Sequence, residues 1–202
     1  MAWIAERRRQ SRFEKAALPH LDAAYSLARW LTRNDADAAD VVQEAYLRAF
    51  RYFDSYRDGD AKGWLLKIVR RTCYSWLERN RPSEVVPLET AADLDEAVAA
   101  APDGLGDTEA LLLSRSDLRR LVGLLEALPP PLREAIVLRE LHELGYREIA
   151  EVTGVPIRTV MSRLHRAGAL LLRAWDTTDV GERTGRQARS GCTAGIVSGE
   201  MS

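Results

Sequence analysis

The chain has 202 residues, 46% of them apolar, and 29 Lys and Arg balance 30 Asp and Glu to leave a net charge of −1. That composition excludes a collagen-like or wholly disordered protein, and no run of about 18 apolar residues is present to cross a bilayer. Arg7, Arg8 and Arg9 are not followed by an apolar stretch, so a secretory signal is not expected. Cys73 and Cys192 stand far apart without ligand-like partners, which points to a reduced, cytoplasmic setting.

The charge is unevenly spread. Residues 1–80 carry 15 basic and 11 acidic side chains, residues 81–130 carry 4 and 10, and residues 131–174 carry 7 and 5. Ordinary surface charge would account for this. So would two modules that each touch a polyanion, joined by a segment that avoids one.

Taken in chain order, Leu18, Leu21, Tyr25, Ala28 and Leu31 recur at helical spacing and predict a first helix over 14–33. Asn34 and Asp35 interrupt it and offer caps for a second helix, which carries Ala38, Val41, Val42, Ala45, Ala49 and Phe53 on one side. Residues 54–60 are polar, include Gly59, and read as a loop. A third helix is predicted over 61–79, burying Trp64, Leu65, Ile68, Thr72, Trp76 and Leu77. Residues 81–106 hold Pro82, Pro87, Pro102, Gly104 and Gly106 among Asp, Glu and Ala, the composition of a flexible acidic linker.

A second helical block begins near Asp107 and runs to Leu128, with Leu112, Leu118, Leu121 or Val122, and Leu125 inward. Pro129, Pro130 and Pro131 stop that helix and restart the chain in the first turn of the next. Helices are predicted at about 131–140, 146–152 and 156–173, and the Gly-, Ser- and Thr-rich tail 174–202 is expected to be disordered. The expected fold is all-α, with helical bundles over 13–80 and 107–173.

Residues 144–167 carry the strongest local signal. Ile149, Ala150, Val155, Val160 and Leu164 are spaced to pack two short helices together, Gly154 sits in the turn, and Pro156 opens the second helix. This is a helix-turn-helix pattern. The other face of its second helix presents Arg158, Thr159, Ser162, Arg163, His165 and Arg166, side chains able to reach phosphates or base edges. A helical hairpin with a solvated basic face is the plainer account.

The helix over 40–53 shows Asp40, Gln43, Glu44, Leu47, Arg48 and Arg51 on its polar side. Asp40 and Glu44 repel one turn apart, an effect that a Glu44–Arg48 pair would offset. Leu47 among these charges suggests a protein-binding stripe, although a plain solvated face also fits. Between 46 and 76 lie 8 of the chain's 14 aromatic residues. Lys67, Arg70, Arg71 and Tyr74 share one helical side there, beside the loop, as a melted DNA strand would require. A basic face snorkelling over a core is the alternative. His20, His142 and His165 are scattered, and no Gly-rich phosphate loop, zinc spacing or nucleophile–base pair appears, so neither an enzyme nor a cofactor site is expected.

Together, the segments 37–50, 56–77 and 128–167 resemble the extracytoplasmic-function sigma factors of the sigma-70 family. The resemblance covers both bundles and implies a role for each. The front bundle would be sigma region 2, with Asp40, Gln43, Glu44, Leu47 and Arg48 docking on the β′ clamp of core RNA polymerase, whose β subunit is a further expected partner. Tyr56, Arg57, Asp58 and Lys62 of the loop would hold a flipped base of the −10 element, and Lys67, Arg70, Arg71 and Tyr74 would contact adjacent DNA.

The rear bundle would be region 4, its recognition helix in the major groove of the −35 element. The resemblance also implies control by an anti-sigma factor in a stress response, with no membrane insertion, although such a partner could hold the chain at the inner membrane face. This sequence departs from the family pattern in its DGDAKG loop, at Arg158 where Gly is common, and at Met161 where a basic residue is common. A stand-alone helix-turn-helix regulator would explain only residues 144–167. A sigma mimic that titrates an anti-sigma factor would ordinarily bring a receiver domain.

Overall fold

The computed structural model describes residues 2–57, 59–82 and 114–190, with residue 2 and residues 178–190 described by backbone alone. The predicted linker beyond Pro82, the predicted helix start at 107–113, Asp58 and Cys192 lie outside the described residues. Among the described residues the fold is all-α. The front module comprises α1 (Ala2–Ala17), α2 (Leu21–Thr32), α3 (Asp35–Arg51) and α4 (Ala61–Asn80). The rear module comprises α5 (Arg115–Ala127), α6 (Pro130–Ile136), a π turn over Val137–Leu141, α7 (Tyr146–Thr153) and α8 (Ile157–Ser190).

The single helix expected over 14–33 is two. Pro19 lacks an amide hydrogen and crowds the preceding turn, and the chain passes through a 3-10 turn at Leu18–His20 before α2 begins. This break also changes which face is buried. Leu18, Leu21 and Tyr25 are exposed, whereas Ala24, Leu27, Ala28 and Leu31 are buried.

α2 closes on Arg33 in the left-handed region, at φ 57. Asn34 then caps α3, its side chain accepting from the Asp37 amide at 3.0 Å. Ala38, Val41, Val42, Ala45, Ala49 and Phe53 are all buried, as their spacing predicts. Asn34→Ala should lower stability by about 1 kcal/mol, read as a shift in the urea midpoint with unchanged slope.

Along α4 the buried set is Leu65, Leu66, Val69, Thr72, Cys73 and Leu77, while Trp64, Ile68 and Trp76 pack only at its edges. The loop before it contains a 3-10 turn at Phe53–Ser55. In the rear module a capping box between Ser114 and Asp117 starts α5. That helix buries none of its residues fully, and Leu118 and Val122 face outward. Its C-terminal carbonyls are held instead by buried Arg133, which donates to the Glu126 carbonyl at 2.5 Å and the Leu128 carbonyl at 3.1 Å.

α8 does not end near 173. It runs to Ser190, and Trp175 is pinned by Arg120, which donates to the Trp175 carbonyl and lies 4.2 Å above its ring.

One core joins the modules. Phe13, Leu27, Leu31, Val41, Leu65, Leu66 and Val69 of the front belong to the same buried cluster as Val137, Leu138, Leu144, Ile149, Val152 and Val160 of the rear. The contact runs mainly between α4 and α7, and between α2 and α6. Leu128, Leu132 and Ala167 form a smaller cluster within the rear module.

Candidate nucleic-acid interface

The helix-turn-helix is built by α7 and α8. Gly154 takes φ 73, a conformation that costs a residue without Cβ little, and its amide closes α7 on the Ala150 carbonyl at 2.8 Å. Glu148 accepts from the Gly145 amide at 2.6 Å and so satisfies a free donor at the start of α7. The Pro156 carbonyl takes the Thr159 and Val160 amides at 2.9 and 3.2 Å, opening α8. Ile149, Val152 and Val160 are buried between the two helices and the front module.

The six candidate residues of α8 divide. Arg158 and His165 are exposed together with Met161, and Thr159 and Ser162 are half-buried. Arg163 and Arg166 are turned inward, with 2% and 6% of their surface exposed. The open face of the first turns of α8 is therefore its N-terminal turn and the line Arg158, Met161 and His165.

Division also marks the candidate −10 set on the front module. Arg70 Nε donates to Glu134 Oε1 at 2.6 Å, and Tyr74 Oη donates to Glu134 Oε2 at 3.2 Å. The Arg70 guanidinium lies 4.5 Å over the Tyr74 ring. Lys62 Nζ donates to the His142 carbonyl at 2.7 Å. These three side chains are thus held by the rear module. Arg57 and Arg71 are exposed, and Lys67 is half-buried. Tyr56 stacks 5.7 Å from Phe53 and lies 4.9 Å from Trp64, with its hydroxyl donating to the Gly59 carbonyl at 2.9 Å. The helix places Arg71 about 100° around from Arg70, so the basic residues do not form one open face.

Glu134, which the sequence reading passed over, is completely buried. Burial pushes its carboxyl above the ordinary range, and the charge of Arg70 pulls it back. For Arg70, burial acts to lower the pKa, but Glu134 and then Tyr74 reverse that and hold the guanidinium charged. Arg163 adds a second positive charge near Glu134, Tyr74 and Arg70, and its Nε has no hydrogen-bond partner. At the far end of the seam, Arg29 pairs with Glu126 at 3.5 Å and Arg33 donates to the Glu126 carbonyl at 3.4 Å. No local signal marks Glu134 as special, because its partners lie 60 and 64 positions away.

On the opposite side of the front module, α3 exposes Asp40, Gln43, Glu44 and Leu47 in one stripe, with Arg48 half-buried beside them. Arg48 Nε donates to Glu44 Oε1 at 2.7 Å, the pair expected from their spacing. Leu47 is 58% exposed among these charges.

Among the described residues no three His, Cys, Asp or Glu side chains are grouped to hold a metal ion. None of the described helices is long and apolar enough to cross a membrane. Cys73 is buried, and burial, then the Glu134 charge, pushes its thiol up, away from nucleophilic reactivity.

A helical module that exposes Leu47 within a polar stripe, joined to a helix-turn-helix module, has the architecture of a two-module transcription protein. Residues 17–82 match sigma-70 region 2, and residues 118–171 match sigma-70 region 4. The ECF RNA polymerase sigma-E factor of Escherichia coli K12 is 40% identical over 136 residues, covering 65% of this chain and 70% of that protein. The ECF RNA polymerase sigma factor SigE of Mycolicibacterium smegmatis is 32% identical over 161 residues. That match takes in 76% of this chain and spans 60% of the relative's length.

The sigma factor RpoE of Bartonella quintana, solved in complex with the anti-sigma factor NepR, shares 26% identity and a TM-score of 0.61. The likeness covers 82% of this chain and 97% of that one. The chain belongs to the extracytoplasmic-function sigma factors of the sigma-70 family.

Proposed function

We propose that this sigma factor docks on core RNA polymerase through the α3 stripe, directs it to promoters through α8, and captures an unpaired base of the −10 element with the loop and α4. The observation that carries the reading is Leu47. A leucine 58% exposed within a charged stripe, on a helix whose other side is fully committed to the core, is arranged for a protein partner. Arg48 and Glu44, already paired beside it, would form the polar rim of that contact.

The chemistry is binding rather than bond-making. Arg158, with Thr159 and Ser162 beside it, reaches guanine edges or phosphates of the duplex. Tyr56, Arg57 and Lys62 border the loop where a base would lodge, and Lys67 and Arg71 follow the backbone of the opened strand. Unstacking a base costs about a few kcal/mol, which the loop and these cations offset. An anti-sigma factor that covers the two modules would silence the protein in the cytoplasm, releasing it in a stress or envelope response.

Leu47→Glu should weaken association with core polymerase at least about thirtyfold, as for a residue worth about 2 kcal/mol at an interface, while the circular dichroism of the free protein stays unchanged. Equal affinity of wild type and variant would reject the α3 stripe as the docking surface. Absence of run-off transcription by the reconstituted holoenzyme from every genomic promoter fragment would reject the sigma reading itself. Tight, sequence-specific duplex binding without polymerase would favour an autonomous helix-turn-helix regulator.

A further inference from the structure

We propose that α1 supplies a further DNA contact: its exposed line Arg8, Arg12 and Lys15 holds phosphates of the unpaired strand next to the base captured at the loop. This inference rests on the functional reading above. It extends the DNA-binding surface to a stretch of helix outside the family match, which begins at residue 17.

The two sides of α1 differ in charge. At about 100° per residue, Arg8, Arg12 and Lys15 fall within about 60° of one another, and all three are exposed. Glu6, Gln10 and Glu14 fall on the other side, where they line a groove with Leu47 and Phe50. The helix thus turns an acidic side to the proposed docking stripe and a basic side away from it.

Arg9 anchors α1 to the loop. It pairs with Asp54 at 3.1 Å and donates to the Phe50 carbonyl at 2.6 Å, and Phe13 packs edge-on against Phe50 and Phe53. The basic line is therefore fixed beside the loop. The Arg12 guanidinium stands 5.7 Å over the ring of Phe53, which stacks on Tyr56 and meets Trp64 at 6.2 Å. These three rings floor the candidate base site, so a phosphate adjoining a base lodged there lies within reach of Arg12.

None of the ion pairs among the described residues involves Arg8, Arg12 or Lys15. Like charges three and four positions apart on a helix repel, so the line gains from an anion laid along it. It spans about 10 Å of helix axis at about 1.5 Å per residue, a length suited to a strand rather than to one small anion. Cations that track a backbone beside aromatic rings that take a base are the means of single-strand binding. A lipid surface suits this side less well. Ile4 is its one large apolar side chain, whereas an interfacial helix buries a broad apolar face.

The test uses holoenzyme reconstituted with the full chain and a promoter fragment that the wild-type protein transcribes. The triple variant Arg8→Ala, Arg12→Ala, Lys15→Ala should keep its affinity for core polymerase, since the stripe lies on the other side. Its open complexes, read by permanganate reactivity of unpaired thymines, should fall at least about tenfold near physiological salt. A fluorescein-labelled oligodeoxynucleotide of the fragment's non-template strand serves as the binding probe. On it, the slope of log affinity against log salt should become shallower by about 2, at about 0.7 per contact on a single strand. Unchanged opening with an unchanged slope overturns the inference.

Arg8→Lys with Arg12→Lys keeps the charge and should keep both opening and slope. Equal losses in the two variants would make these side chains structural and overturn the contact. Wild-type binding to phosphatidylglycerol vesicles that the alanine variant loses, with promoter opening intact, would overturn it in favour of a lipid surface. If wild-type holoenzyme opens no fragment, the functional reading fails, whereas equal opening by wild type and alanine variant sinks this inference alone.

Discussion

Replacing Leu65 by alanine should cost about 2–5 kcal/mol of folding free energy. Leu65 is completely buried in α4, within the cluster shared by both modules. The lost transfer free energy of its side chain is joined by the cost of a cavity that rigid neighbours cannot close. α4 packs against α2 and α3 on one side and α7 on the other, so no single helix can move to fill the space without opening another contact. Urea unfolding is the measurement, with a lower midpoint at unchanged slope expected. A loss under about 1 kcal/mol would mean that the α4 core does not pack as described.

Acid should destabilise the protein through His142. The side chain is buried, its Nε2 has no hydrogen-bond partner, and Lys62 lies against its backbone. Burial first, and the Lys62 charge second, lower its pKa from 6.5 to about 4. The unfolded chain, with an ordinary imidazole near 6.5, therefore binds a proton that the folded chain refuses between these values. The contribution of neutral His142 is fully present above about pH 6.5 and is lost as the pH falls towards about 4, a change of about 3 kcal/mol. His142→Phe keeps a neutral ring and should flatten that part of the profile. Urea midpoints of wild type and variant at neutral and mildly acidic pH decide it, and parallel profiles would remove His142 as the cause.

The π turn that precedes His142 adds to this picture. It ends with the His142 amide on the Val137 carbonyl at 3.2 Å, and Leu144 follows by donating to the Leu138 carbonyl at 3.0 Å. The extra residue in the turn lets the chain bend towards α7 while Val137 and Leu138 stay buried. Protonating His142 would act where the modules meet, beside the carbonyl that Lys62 uses.

Much of this protein was legible from neighbours within four positions. Asn34 as a cap, the buried line from Ala38 to Ala49, the Glu44–Arg48 pair, Gly154 in its turn and Pro156 before α8 all follow from helical spacing and local hydrogen bonding. Those determinants act over one turn of chain, so a linear reading contains them. The break at Pro19 was also present in the sequence, and the run of Leu18, Leu21 and Tyr25 obscured it by imitating a continuous apolar face.

What the tertiary structure alone decided is which polar faces meet water. Periodicity distinguishes a polar side of a helix from an apolar one, but it cannot tell whether the polar side faces solvent or another polar side. Arg70 and Tyr74 meet Glu134, and Arg163 comes near both of them, because two modules close on each other over separations of 60 residues and more. An ion pair across such a distance leaves no spacing in the chain, since its geometry depends on helix packing rather than on the helix repeat.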